Sequence, residues 1–186
     1  MNGKLANPAP LGLIGFATTT WLLSMINAGW MSADGMGIVL VMAFAYGGTA
    51  QFIAGILEYP KGNTFGFVAF SSYGAFWWTF ALFVEYFHGK TPAGFVGWYL
   101  LLWGIFTFYM WIATFRLNKA VMLVFLFLWI TFVLLAFGEF AGSSFLHHLG
   151  GYVGLVTAVV AAYLSAAEVI NDVNGRTVLP VGPYSA

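Results

Sequence analysis

Charged residues are so sparse along this chain that they work as punctuation. No Asp, Glu, Lys or Arg falls between Lys4 and Asp34, Asp34 and Glu58, Lys61 and Glu85, Lys90 and Arg116, Lys119 and Glu139, or Glu139 and Glu168. Each interval holds about 20 residues or more, the length that an apolar helix needs to cross the hydrocarbon of a bilayer. The pattern predicts six transmembrane helices, near 11–31, 36–58, 64–87, 94–115, 119–140 and 148–170. FLFLWITFVLLAF (125–137) is continuously apolar rather than alternating. That argues against barrel strands and for helices, which satisfy their own backbone groups in lipid. The fold class is an all-α membrane protein, one six-helix domain over 1–186. NDVNGRTVLPVGPYSA (171–186), with its turn residues and two prolines, reads as an irregular cytoplasmic tail.

Orientation follows from the basic residues. With the N-terminus inside, Lys4, Lys61, Arg116, Lys119 and Arg176 are cytoplasmic and Lys90 alone is outside, so both termini are expected in the cytoplasm and the chain in the inner (plasma) membrane. The first apolar run is long enough to span and is expected to stay in the mature protein. Composition agrees: 61% of residues are hydrophobic and 6% charged. A net charge of zero gives no field for nucleic acid, and the absence of cysteine removes disulfides and thiolate chemistry.

The polar positions inside the spans are few and patterned. Phe16, Thr20, Ser24 and Asn27 share one stripe of the first helix, fit either for interhelical hydrogen bonds or for lining a pore. Gln51, between Gly47 and Gly55, is either a structural hydrogen-bonding group or a ligand for a permeating solute. Tyr73, in SSYGAFWW (71–78) with Ser71 and Ser72, is either packed core or part of a constriction. In the last helix Gly150, Gly154, Ala158, Ala162 and Ala166 recur every four residues, a row for close helix packing. Beside it run Thr157, Ala161, Ser165 and Glu168. His147 and His148 read as exposed histidines of the connection before that helix, with no third ligand for a metal.

No ionisable residue lies near the middle of a span; Glu58, Glu85, Glu139 and Glu168 all sit toward helix ends. That favours passive or weakly coupled conduction over a pump with a buried proton relay. No intramembrane enzyme is expected: His-Glu-x-x-His is absent and GSSF (142–145) is not a serine-protease motif. No cofactor is expected. In NPAPLGL (7–13), Asn7 reads as the cap of the first helix and Pro8 as its first residue. The free N–H groups of that helix end are either a plain membrane entrance or a meeting point for an anion.

KLANPAPLGL (4–13) resembles the signature of the acetate uptake transporter family. FAYGGTAQFIAGILEYPKGNTFG (44–66), AFSSYGAFWW (69–78), LLAFGEFAG (134–142) and AAEVINDVNGRTVLP (166–180) extend the resemblance nearly end to end. The chain departs from the family pattern in EYFHGKTPAG (85–94) and at Glu139. The resemblance implies a six-helix protomer in a homo-hexamer, each protomer conducting acetate and, in some members, succinate or other small monocarboxylates such as formate and propionate. It implies a hydrophobic constriction at Phe16, Tyr73 and Leu128, and a small size-selecting residue at Ala161. Asn7, Thr20, Ser24, Asn27, Gln51, Ser72 and Thr131 are expected along the path. Proton symport, and less so a non-transporting structural or sensory role, are the other readings.

Overall fold

The computed structural model describes residues 5–183. Lys4, one of the charges behind the expected orientation, lies outside them, as do Tyr184, Ser185 and Ala186 of the expected tail. Six helices long and apolar enough to span a membrane make up the molecule: α1 (Ala9–Asn27), α2 (Ala33–Lys61), α3 (Thr64–Phe87), α4 (Ala93–Arg116), α5 (Lys119–Ala141) and α6 (Ser144–Asn174).

The helix ends follow from local chemistry. Asn63, Asn118 and Ser143 cap α3, α5 and α6, their side-chain oxygens accepting from the N–H groups of Gly66, Val121 and Leu146. Gly62, Gly142 and Gly175 end the preceding helices in the left-handed region. α1 runs over Ala9–Asn27, against the expected 11–31, and its cap falls one residue after the expected Asn7. Pro8 is its cap and Ala9 its first residue, with Pro10 in the first turn, where a missing N–H costs nothing. α6 starts earlier than the expected 148, because Ser143 caps it. His147 and His148 therefore lie on the helix, not in a connection. α6 also runs through Asn174, so the expected tail begins as helix. The rest of the tail is held in place. The Asn171 amide oxygen accepts from the N–H groups of Val178 and Leu179, and its Nδ2 donates to the Leu179 carbonyl. Tyr163 donates to the Pro180 carbonyl, and the Lys119 N–H donates to the Gly182 carbonyl.

α2 is not α-helical throughout. Over Ala43–Ala50 (AFAYGGTA) it widens to a π-helix. The adjacent glycines hold the regular spiral weakly. Thr49 Oγ1 donates to the Phe44 carbonyl five residues back, at 2.7 Å, and the Trp78 indole N–H donates to the same oxygen at 3.2 Å. The carbonyl that the wider turn displaces is thus satisfied inside the protein, as lipid requires. α3 ends in a second π turn, Phe83–Phe87.

The helices form a ring. α1 packs between α6 and α2, α2 on α3, and α5 between α4 and α6. The α1–α6 contact is close enough that a Cβ on Gly151 would strike the backbone of Ala28, and one on Gly154 the Ser24 hydroxyl. The expected small-residue row is only partly used. Gly150, Gly154 and Ala158 are buried, whereas Ala166 is exposed. A row spaced by four drifts about 40° per step around a helix of 3.6 residues per turn, so its far end leaves the interface. The ring is loosest between α3 and α4, whose backbones stand apart. Aromatic side chains bridge the gap: Phe76 packs on Tyr99 and Trp103, and Tyr73 on Trp103 and Phe106. Large apolar side chains such as Ile38, Val41, Leu102, Ile105 and Val159 are exposed on the outside, as lipid-facing positions should be.

Candidate functional site

Two cavities lie among the helices. The smaller, of about 200 Å³, reaches Ala9, Asn63, Leu117, Asn118 and Glu168, at the end of the bundle that carries both termini. The larger, of about 620 Å³, reaches Asn27, Ala33, His88, Thr91, Glu139 and His147, at the opposite end. Three residues line both: Phe16, Tyr73 and Leu128. All three are buried, at 5%, 3% and 5% exposure.

The local sequence fixes these side chains. Phe16 and Tyr73 meet with ring centroids 6.1 Å apart. Tyr73 also contacts Phe125, at 6.0 Å between centroids. Its hydroxyl lies 2.9 Å from Thr107 Oγ1. Thr107 gives its own proton to the Trp103 carbonyl at 2.7 Å, so Tyr73 is the donor to Thr107. The phenol is therefore tied to α4, and the ring presents its apolar body between the cavities. Leu128 stands one turn from Phe125 and Thr131 on α5. Thr107 is a residue that the sequence reading passed over. Its signal is a lone threonine inside LLWGIFTFYMW (101–111).

The expected path residues divide into two groups. Thr20, Ser24, Asn27 and Thr131 line the larger cavity, and Gln51 the smaller. Gln51 is 1% exposed, and among the described residues no donor reaches its Oε1. Asn7, Ser72 and Ala161 line neither cavity. Ser72 is one residue from Tyr73, about 100° around the helix and so turned to a different side. Ala161 is fully buried in the core cluster. Asn7 is engaged within the protein: its Oδ1 accepts from Lys61 Nζ at 3.0 Å and from the Ala9 N–H at 3.2 Å, and its Nδ2 donates to Glu168 Oε2 at 2.8 Å. The start of α1 is thus knitted to α2 and α6. Nearby, the buried Glu58 accepts from Asn63 Nδ2 at 3.0 Å and faces Lys61 Nζ at 3.4 Å.

This architecture is that of a multi-pass helical membrane protein with a cavity toward each end and an apolar waist between them. The chain belongs to the GPR1/FUN34/yaaH family, whose profile matches residues 1–185. It is 49% identical over 185 residues to the succinate-acetate/proton symporter SatP of Escherichia coli (strain K12), covering 97% of each chain. It is 38% identical to acetate permease A of Emericella nidulans, over 97% of this chain and 67% of that one. The solved structure of the bacterial acetate channel SatP superposes with a TM-score of 0.91 at 47% identity, covering 96% of this chain and 100% of that one. The protein is a multi-pass inner-membrane protein of this family.

Proposed function

We propose that the protein conducts acetate and related small carboxylates, succinate among them, across the inner membrane through a path inside each protomer. The observation that carries this reading is that Phe16, Tyr73 and Leu128 are the residues shared by the two cavities. In this reading they are the constriction. Thr20, Ser24, Asn27 and Thr131 on one side, and Gln51 on the other, are weak polar ligands that let a carboxylate arrive and leave. The partnerless Gln51 Oε1 supports its place among them. Formate and propionate fit the same chemistry. No reaction is catalysed, and the relatives' transport names support that. The termini face the cytoplasm in this reading, on the strength of the basic residues at that end, and the protomers assemble as a homo-hexamer.

The waist sets the form in which the solute crosses. A bare carboxylate pays heavily to leave water, whereas the neutral acid pays little. A small carboxylic acid holds its proton about as tightly as a glutamate side chain, near pH ~4.3. Each unit of acidification near neutrality therefore raises the neutral fraction about tenfold. Uptake is expected to rise as the outside pH falls. The name of the E. coli relative supports a second reading, proton-coupled symport, in which acetate and a proton cross together.

The test is uptake of labelled acetate by liposomes holding the purified protein, with a pH gradient imposed and the voltage clamped by potassium and valinomycin. Flux that follows the voltage and ignores the proton gradient marks an anion channel. Electroneutral flux driven by the proton gradient marks passage of the acid or symport. Flux no greater than that of empty liposomes overturns the transport reading.

A further inference from the structure

The rim of the larger cavity carries a feature that the waist does not need. Glu139, in the last turn of α5, faces His147, in the first turn of α6, with Oε1 and Nε2 3.4 Å apart. Both side chains line the cavity and both are partly exposed, at 26% and 31%. The imidazole sits in a made place. A Cβ on Gly138 would lie 2.9 Å from His147 Cδ2 and 3.1 Å from its Nε2, so the ring rests where only glycine leaves room.

The other elements bring little charge to this rim. α1 contributes Thr20, Ser24 and Asn27, and α2 contributes Ala33 and Met36. The α3–α4 connection contributes His88. Of the remaining charged groups and histidines of this end, Asp34, Glu85, Lys90 and His148, none lines the cavity, and Glu85 is exposed at the end of α3. Asp34 accepts from Ser32 Oγ, Lys90 donates to the Tyr86 carbonyl, and His148 lies against Gly29. Among the lining residues, Glu139 is the carboxylate and the imidazoles of His147 and His88 are its ionisable neighbours.

We propose that Glu139 and His147 form a charge-selective rim that sets how readily dicarboxylates enter relative to monocarboxylates. This rests on the reading of the larger cavity as an entrance for carboxylates. The physical basis is Coulombic. A fixed negative charge acts once on a monoanion and twice on a dianion. Removing it therefore favours the dianion, whatever the protonation of the histidine beside it. At a partly wet rim, a few ångströms away, one unit of charge changes occupancy by about three- to tenfold.

The experiment is paired uptake of labelled succinate and labelled acetate by proteoliposomes at about pH 7.5, where both solutes are ionised. Glu139→Gln should raise the succinate-to-acetate ratio about three- to tenfold at low salt, and less at high salt, where the charge is screened. Glu139→Asp keeps the charge and should hold the ratio within about twofold of the parent. His147→Arg adds a permanent cation and should raise the ratio, even if Glu139→Gln folds poorly. Acetate flux with an unchanged ratio in both Glu139→Gln and His147→Arg overturns the rim. A ratio change that salt does not touch also overturns it, in favour of a purely steric effect. Absence of acetate flux in the parent protein instead overturns the transport reading on which the rim rests.

Discussion

At the scale of single residues, the waist of Phe16, Tyr73 and Leu128 presents almost no polarity to the cavities. Tyr73 shows this best, its hydroxyl drawn sideways to Thr107. Tyr73→Phe should cost about 1 kcal/mol or less, the usual worth of a hydrogen bond between transmembrane helices. Thermal unfolding in detergent would register it, while acetate flux stays near the parent's. Leu128→Ala should act the other way round. Truncation opens the narrow point, so propionate uptake should rise several-fold relative to acetate, in the range that one or two methylenes command in a pocket. A fall in both fluxes together would mean that Leu128 supports the bundle rather than limiting the path. Part of this site is legible in the sequence. Helical spacing places Phe16, Thr20, Ser24 and Asn27 on one stripe, and all four line the larger cavity. The Tyr73–Thr107 bond joins residues on α3 and α4, and periodicity within one helix carries no information about it.

At the scale of elements, the spans are legible because charge is excluded from lipid, and each interval between charges became one helix. The ends are less so. The start of α6 is signalled by Gly142 and Ser143, a terminator followed by a cap, yet a count of apolar residues alone places it later. The π segment of α2 has no such signal. The Phe44 carbonyl it displaces is met by Thr49 five residues on and by the Trp78 indole, which comes from another helix. Glycine packing is testable here. Gly151→Ala would drive a methyl into the Ala28 backbone and should cost roughly 1–3 kcal/mol. Gly37→Ala, with nothing within 4 Å of the new methyl, should be neutral or slightly stabilising. Equal unfolding temperatures for the two variants would show that α1 and α6 are less tightly joined than described.

At the scale of the whole molecule, the larger cavity faces the end opposite the termini, and orientation decides which compartment it meets. The chain has no cysteine, so single-cysteine labelling starts without background. Thr91→Cys should react with an impermeant maleimide added outside intact cells, and Arg176→Cys only after the membrane is opened. The reverse pattern would invert the orientation drawn from the basic residues. The ring's closure was not legible, because no helix names its neighbour. Its most extensive seam joins α1 to α6, and the bond from Ser165 Oγ to the Pro10 carbonyl spans 155 positions. A ribosome adding about 5–20 residues per second needs roughly ten to thirty seconds to make that stretch. Throughout that time the Ser24 hydroxyl, which lies against Gly154, sits in the bilayer without the helix that covers it. α1 thus enters the bilayer long before α6, the helix on which it packs most extensively, and the insertion machinery must shelter it until α6 arrives.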